Sequence, residues 1–144
     1  MKTIDIPNAR TPADGVLTGG QPSGAQFHAA RDAGFATIIN LRNTGEAGVA
    51  EQAKALPEMG FTYHHLPIAG GAGLTLENTK AFAALLDGAE APVMVHCGSG
   101  NRVGALAAMR AFHLDGKSAD EALQIGRAWG LTGLEPAVVG LLKR

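Results

Sequence analysis

The only cysteine of this 144-residue chain, Cys97, lies in a glycine-rich run that ends in an arginine. The run Cys97–Arg102 follows an apolar, β-branched segment and precedes a helical pattern, so it joins a strand to a helix. Glycines in such a turn let successive N–H groups point inward and bind an anion. The guanidinium of Arg102 can bind two oxygens of that anion at once. The predicted oxyanion-binding residues are Gly98, Ser99, Gly100, Asn101 and Arg102.

The position of Cys97 also favours a reactive sulfur. The N-terminus of a helix and a nearby Arg102 both stabilise the thiolate form of a cysteine. A thiolate placed beneath a bound oxyanion can attack phosphorus or sulfur and form a covalent intermediate. Against this stands the interpretation of Cys97 as a small buried apolar residue and of Arg102 as a solvated residue at a helix start. The glycine-rich setting favours the catalytic pair, Cys97 and Arg102.

Short strands alternate with helices along the chain. Alternation of this kind predicts parallel β-α-β units. The expected fold is α/β, a three-layer sandwich with a central, mostly parallel sheet of four to five strands flanked by helices. Ligands of such sheets bind at the carboxyl ends of the strands, where the run after Cys97 begins. The predicted strands are Leu17–Thr18, Thr37–Leu41, Thr62–Ile68 and Pro92–His96.

Several helix starts carry recognisable caps. Ser23 with Gln26 and Ser118 with Glu121 have the spacing of a capping box, and Thr75 is an expected N-cap. A further helix is expected from about Gly48 to Met59, a long one from about Arg102 to Leu114, and a short last one around Pro136. The glycine-rich segment 69–73 is expected to be a flexible loop.

Composition narrows the function classes. The formal net charge is −1, and no run of Lys or Arg suggests nucleic-acid binding. No stretch of about 18 apolar residues suggests a membrane span. The five His and one Cys have no metal-ligand spacing, so neither a metal nor a disulfide is expected. We expect a single domain over residues 1–144, of cytoplasmic location, with a periplasmic address left open for a chain whose leader had been removed. The oligomeric state stays open.

The motifs resemble those of a known enzyme class. The strand entry His96-Cys97, the loop ending in Arg102 and the run Val103–Leu106 resemble the cysteine-dependent tyrosine and dual-specificity phosphatases. More closely, the chain resembles the bacterial beta-lactamase hydrolase-like phosphatase domains, also described as sulfurtransferases. That likeness extends over about residues 17 to 130. Its further motifs are Gly20–Ser23, Thr37–Arg42, Leu66–Ile68 and Asp115–Leu123.

The resemblance implies a role for each residue of the loop. Cys97 would be the nucleophile that takes up the phosphoryl group, and Arg102 with the amides of residues 98–102 would hold its oxygens. His96 would orient the loop and help to keep Cys97 ionised; it is equally well read as an inward-facing strand histidine. The implied activity is hydrolysis of phosphate monoesters, with no cofactor. The implied substrate is a phosphorylated protein or a small phosphate ester.

Three departures from the phosphatase pattern separate the chain from that class. Four residues lie between Cys97 and Arg102, as in rhodanese sulfurtransferases, whereas tyrosine phosphatases have five. Val103 stands where a hydroxyl residue assists the departing thiolate, and Ser99 is a candidate replacement. Segment 66–73 contains no Asp to serve as the general acid, a function that contributes roughly 10²–10⁴-fold. The candidate acids elsewhere are Glu46, His64, His65 and Glu77.

The sequence therefore leaves three functions open. The first hypothesis is a phosphatase acting through a cysteinyl-phosphate on Cys97. The second is a rhodanese-like sulfurtransferase with a persulfide on Cys97, because sulfur transfer needs no protonated leaving group. The third is a non-catalytic oxyanion-binding module. Gln21 and Arg42 also end strands near the expected site and are minor candidates for its rim.

Overall fold

The computed structural model describes residues 1–144 as five β-strands and six α-helices, with one short 3₁₀ helix at Gly70–Gly73. The strands are β1 (Arg10–Ala13), β2 (Val16–Gly19), β3 (Thr37–Asn40), β4 (Thr62–His65) and β5 (Val93–His96). The helices are α1 (Gly24–Asp32), α2 (Val49–Glu58), α3 (Leu76–Gly88), α4 (Asn101–His113), α5 (Ala119–Trp129) and α6 (Glu135–Leu141). None of the helices has both the length and the apolar character required to cross a membrane.

One sheet organises the molecule. Its strand order is β1-β2-β5-β3-β4. The four strands β2, β5, β3 and β4 are parallel to one another. The predicted α/β architecture with a mostly parallel sheet is confirmed. The missed strand is β1, which pairs antiparallel with β2 across a turn at Gly15, where φ is +73°. Because β5 lies at the centre, the residues that follow it leave the middle of the sheet.

The two faces of the sheet are covered by separate sets of helices. Ile38 and Met94 lie in one apolar cluster with Phe27 and Leu56, which come from α1 and α2. The alternate strand residues, among them Ile39 and Val95, pack in the larger cluster beneath α3, α4, α5 and α6. Because successive side chains of a strand point to opposite faces, the sheet packs against one apolar core on each side. The molecule therefore has three layers.

Most helix ends lie where their caps predict them. Both capping boxes are formed: Ser23 accepts the Gln26 amide, and Ser118 accepts the Glu121 amide. Thr75 accepts the Asn78 amide at the start of α3. The predicted strand over 62–68 is shorter than expected and ends at His65. Pro67 has no N–H and cannot extend the ladder. The segment expected to be a flexible loop, 69–73, contains the 3₁₀ helix.

Candidate active site

The run Cys97–Arg102, here called the Cys97 loop, connects the central strand β5 to helix α4. Its first amide donates to the carbonyl of Gly19 at 3.2 Å, which continues the pairing with β2 for one residue. The Cys97 side chain is fully buried, and its Sγ accepts the N–H of Gly100 at 3.1 Å. The loop therefore curls back over the sulfur and directs at least one backbone dipole at it.

Further backbone donors remain in the loop. The N–H groups of Gly98, Ser99, Asn101 and Arg102 donate to no acceptor of the protein. Two of these amides belong to the first turn of α4, where N–H groups have no partner within the helix. A short loop with four uncommitted donors at a helix N-terminus has the electrostatics of an oxyanion site.

Neighbouring segments hold the Cys97 loop in place from two sides. The Gln21 amide donates to the Gly98 carbonyl at 3.1 Å, and the Asn8 side chain donates to the Ser99 carbonyl at 2.9 Å. On the other side, Asn101 Oδ1 accepts the amides of Thr132 and Leu134 at 2.9 and 3.1 Å. The Asn101 side chain thus fixes the segment after α5 through its Oδ1.

Two glycines outside the loop permit this close packing. A Cβ at Gly20 would lie 2.6 Å from the Gly98 carbonyl oxygen. A Cβ at Gly130 would lie 2.6 Å from the Gly100 carbonyl oxygen, and Gly130 also has a φ of +125°. Sequence reasoning assigned no role in the site to Gly130 or to Asn8. Their contacts with the loop span large sequence separations, so no local pattern indicates them.

Arg102 is held by a carboxylate on the loop after β3. Its Nη1 donates to Glu46 Oε2 at 2.7 Å and its Nη2 to Oε1 at 3.0 Å, a bidentate pair. Nη1 also donates to the Ile68 carbonyl at 3.2 Å. The hydrogen bond that Arg102 donates to Glu46 raises the pKa of Arg102 above its usual value. Of the five N–H donors of a guanidinium, Nε–H and one N–H of Nη2 are left uncommitted by these contacts.

Glu46 was a candidate general acid, and its surroundings argue against that role. The hydrogen bond from Arg102 is the largest cause that lowers the pKa of Glu46 to about 2. The Asn43 amide and the Arg42 guanidinium lower it as well. A carboxyl group in this state is ionised at neutral pH and has no proton to give. The geometry makes Glu46 a partner that positions Arg102.

Arg42 links the same carboxylate to the strand ends. Its side chain is almost completely buried, and its Nη1 donates to Gln21 Oε1 at 2.6 Å and to the Ala47 carbonyl at 2.8 Å. Its Nε lies 3.4 Å from Glu46 Oε1. Both minor candidates for the rim, Gln21 and Arg42, therefore belong to one hydrogen-bonded chain that ends on Arg102.

His96 precedes the nucleophile candidate and points away from the solvent. Its side chain is fully buried in edge contact with the Phe27 ring, and its Nδ1 lies 3.3 Å from the Cys97 carbonyl oxygen. Burial lowers the pKa of His96 to about 4, so the ring is neutral at physiological pH. The contact fits the expected orienting role. To help in ionising Cys97, as expected, His96 would need a positive charge. The neutral ring does not carry one.

None of the remaining candidates forms a hydrogen bond with the Cys97 sulfur. His65 Nε2 is 2.6 Å from the Arg42 carbonyl oxygen and thus braces the β3 end. His64 is half-buried and pairs in register with Ile39, and Glu77 is exposed in the first turn of α3. Ser99 is exposed on the loop and Val103 is fully buried. No three His, Cys, Asp or Glu side chains converge to hold a metal ion.

Related sequences identify the family of this chain. The family model of the beta-lactamase hydrolase-like protein, phosphatase-like domain, matches residues 12–112. The chain belongs to this family. A beta-lactamase hydrolase-like protein of Xylella fastidiosa (strain Temecula1) is 35% identical over 136 residues, which cover 90% of this chain and 30% of that protein. The chain thus spans about 30% of the length of the two curated relatives that match 90% of it.

Solved structures share the fold of this family member. A candidate phosphatase from Neisseria meningitidis Z2491 superposes with a TM-score of 0.73 at 24% identity, covering 93% of this chain and 97% of that one. Tk-PTP in its active form gives a TM-score of 0.67 at 22% identity, covering 94% and 96%. The expected likeness to tyrosine phosphatases is confirmed at the level of the fold.

Proposed function

We propose that this domain is a cysteine-dependent phosphatase that hydrolyses phosphate monoesters through a cysteinyl-phosphate on Cys97. The observation that carries the proposal is the convergence of three groups on one loop. These groups are the Cys97 sulfur, the four uncommitted amides and the Arg102 guanidinium. Phosphoryl transfer needs a nucleophile and donors to the phosphoryl oxygens, and these groups would supply both. Membership of the phosphatase-like family supports the same assignment.

The loop would bind the phosphoryl group by its non-bridging oxygens. The amides of residues 98, 99, 101 and 102 donate to them, together with Nε–H and the second Nη2–H of Arg102. Glu46 holds the opposite edge of the guanidinium, so Arg102 needs little rearrangement when the substrate arrives. Such preorganised donors are worth about 10²–10³ in rate for each one removed in related oxyanion sites.

The reaction then proceeds in two displacements. The Cys97 thiolate attacks phosphorus, an S–P bond forms, and the P–O bond to the leaving group breaks with its electron pair on that oxygen. Water next attacks the phosphorus of the cysteinyl-phosphate, the S–P bond breaks, and the thiolate returns as inorganic phosphate leaves. The N–H of Gly100, which points at Sγ, stabilises the sulfur anion in both directions.

The test is hydrolysis of 4-nitrophenyl phosphate by the wild-type chain and by Cys97→Ser. We expect turnover that the substitution abolishes, and a gain of one phosphoryl group on Cys97 in rapidly quenched wild-type protein. A folded Cys97→Ser variant that hydrolyses the ester at the wild-type rate would contradict the nucleophile assignment. A folded wild-type chain without turnover of any phosphate ester would contradict the activity.

A second candidate function is sulfur transfer. The observation that favours it is the six-residue length of the Cys97 loop, which matches the ring of the rhodanese class. Here the Cys97 thiolate would attack the sulfane sulfur of thiosulfate and release sulfite, and cyanide would remove the sulfur as thiocyanate. Thiocyanate formation that depends on Cys97, with a gain of one sulfur on that residue, would support this reaction over the first. Failure of thiosulfate to label Cys97 would exclude that donor.

A further inference from the structure

We infer that the substrates of this site are phosphoryl compounds with an acidic leaving group, such as esters of acidic phenols and acyl phosphates. The inference rests on the proposed phosphatase function and adds the class of leaving group. It follows from what surrounds Cys97 Sγ on the side that the leaving group must occupy. That side offers a committed carboxylate, carbonyl groups and small residues.

Glu46 places a carboxyl group beside the Cys97 loop, and that group is already engaged. Glu46 Oε1 lies 3.9 Å from the position of a Cβ on Gly98, so its carboxyl group is at the site. Both of its oxygens are engaged, one by Arg102 Nη2 and the other by Arg102 Nη1 and the Asn43 amide. These contacts hold Glu46 as a carboxylate that accepts hydrogen bonds. A leaving oxygen needs a donor.

The segment between β4 and α3 also borders the site. It approaches the site through the Ile68 carbonyl, which accepts Arg102 Nη1 at 3.2 Å. After Ile68 the chain continues as Ala69 and the 3₁₀ helix Gly70–Gly73, whose side chains are methyl groups or hydrogens. A carbonyl oxygen accepts a proton donor and cannot protonate an alkoxide.

The other titratable groups around the loop are either engaged elsewhere or form no hydrogen bond to the loop, as is the case for the half-buried His64 on β4. The His96 ring is sealed in the core against Phe27, and His65 Nε2 is bonded to the Arg42 carbonyl. Glu135, on the segment held by Asn101, forms an ion pair with Arg127. Asp5, on the N-terminal segment, and Glu77, at the start of α3, are exposed and hydrogen bond to no residue of the loop.

The consequence concerns the first displacement. When the S–P bond forms, the departing oxygen carries its electron pair as an anion and collects its proton from bulk water afterwards. General acid catalysis contributes roughly 10²–10⁴-fold to such a step. A site without it discriminates by the acidity of the leaving group, because a weakly basic oxygen leaves without help and a strongly basic one does not.

The experiment compares 4-nitrophenyl phosphate, phenyl phosphate and acetyl phosphate as substrates of the wild-type chain. Because kcat/KM reports the first irreversible step, we expect kcat/KM for the phenyl ester to lie about 10²-fold or more below that for the nitrophenyl ester. Acetyl phosphate should be hydrolysed at least as efficiently as the nitrophenyl ester. Similar kcat/KM values for phenyl and nitrophenyl esters would overturn the inference while leaving the proposed function intact.

Glu46→Gln separates positioning from proton donation. The amide keeps the shape of Glu46 and loses its charge, so Arg102 is held less firmly for every substrate. We expect kcat/KM to fall by the same factor for both aryl esters, with their ratio unchanged. A loss concentrated on the phenyl ester would assign proton donation to Glu46 and overturn the inference. Absence of Cys97-dependent turnover with all three substrates would instead overturn the proposed function, and the inference with it.

Discussion

Two segments leave the same edge of the sheet and enter helices, and they are built very differently. The Cys97 loop is fastened by Asn8, Gln21, Asn101 and the close approach of Gly130. The segment 66–75, which joins β4 to α3, is bonded to the end of β3 by the amides of Leu66 and Ile68. After Ile68, its hydrogen bonds are only within the segment or with the start of α3. The loop proposed to bind the oxyanion is therefore held from several sides, whereas the proposed leaving-group side is made of small residues. This asymmetry predicts where substitutions matter.

The largest contrast should come from the charged end of the Cys97 loop. Arg102→Lys keeps the charge and loses the bidentate geometry with Glu46 and with the phosphoryl oxygens. We expect kcat/KM for 4-nitrophenyl phosphate to fall about 10²–10³-fold, the loss seen when one preorganised oxyanion donor is removed. Steady-state kinetics of the folded variant measures this. The matched change in the other segment is Ala69→Ser, which should leave kcat/KM close to the wild-type value.

Equal effects of the two substitutions would remove the asymmetry. If Ala69→Ser lowered kcat/KM as much as Arg102→Lys, segment 66–75 would contact the substrate as closely as the Cys97 loop does. Thermal melts of both variants would show whether a loss of activity reflects a loss of folded protein.

Two glycines with positive φ test the packing of the two regions. A Cβ at Gly130 (φ +125°) would lie 2.6 Å from the Gly100 carbonyl oxygen, so it has no room. A Cβ at Gly70 (φ +57°) would meet no atom within 4 Å. Gly130→Ala combines backbone strain with overpacking, and we expect a loss of about 3 kcal/mol in the free energy of unfolding. Gly70→Ala adds only the left-handed strain, about 1 kcal/mol. Urea unfolding of both variants measures the difference.

A Gly130→Ala variant as stable as Gly70→Ala would mean that the segment after α5 can withdraw from the Cys97 loop. The loop would then depend less on that neighbour than the contacts indicate.

The local part of this architecture was predictable from the sequence. The capping boxes at Ser23 and Ser118 and the turn after His96 are governed by residues a few positions apart. Short apolar, β-branched runs between helical segments likewise predicted the four parallel strands, although Pro67 ended β4 earlier than expected. The loop carrying Cys97 was placed correctly because a strand, two glycines and a helix start are all local signals.

The non-local part was not predictable in the same way. The edge strand β1 has a single neighbour and an interrupted register, and its four residues, which include Pro12, contain no apolar run. The bond between Arg102 and Glu46 joins residues 56 positions apart, so no spacing rule indicates it. The roles of Asn8 and Gly130 likewise depend on which strands become neighbours. A single sequence therefore indicates the chemistry of the loop and leaves open which residues position it.

Lowering the pH should distinguish the contributions of His96 and Glu46 to the free energy of unfolding. Burial lowers the pKa of His96 from 6.5 to about 4, so the unfolded chain binds a proton in this range that the folded chain does not. Stability contributed by neutral His96 is therefore present above pH 6.5 and is lost as the pH falls toward 4. We expect a loss of about 2 kcal/mol between about pH 7 and pH 5. Urea unfolding at both pH values measures it.

The control variants are His96→Asn and Glu46→Gln. His96→Asn should be less stable at neutral pH and should lose less stability on acidification. Glu46 has its pKa lowered from 4.5 to about 2, so its contribution is lost only as the pH falls below about 4.5. Glu46→Gln should therefore keep the wild-type slope between pH 7 and pH 5. A His96→Asn variant with that same slope would contradict the buried, neutral state of His96.

The smallest contrast concerns two asparagines, Asn101 of the Cys97 loop and Asn78 of α3, which bonds to segment 66–75. Asn101 Oδ1 accepts two amides, those of Thr132 and Leu134, whereas the Asn78 side chain donates a single bond to the Gly73 carbonyl. A neutral hydrogen bond contributes about 1 kcal/mol, and the amides that Asn101→Ala leaves unpaired add to the loss, so we expect about 2 kcal/mol for that variant. For Asn78→Ala we expect about 1 kcal/mol.

Asn101→Ala should also raise KM for 4-nitrophenyl phosphate, because the start of α4 carries two of the four uncommitted amides. Asn78→Ala should leave KM unchanged. If both variants raised KM equally, the two segments would contribute alike to substrate binding, and the rigid loop would not be the part of the molecule that recognises the oxyanion.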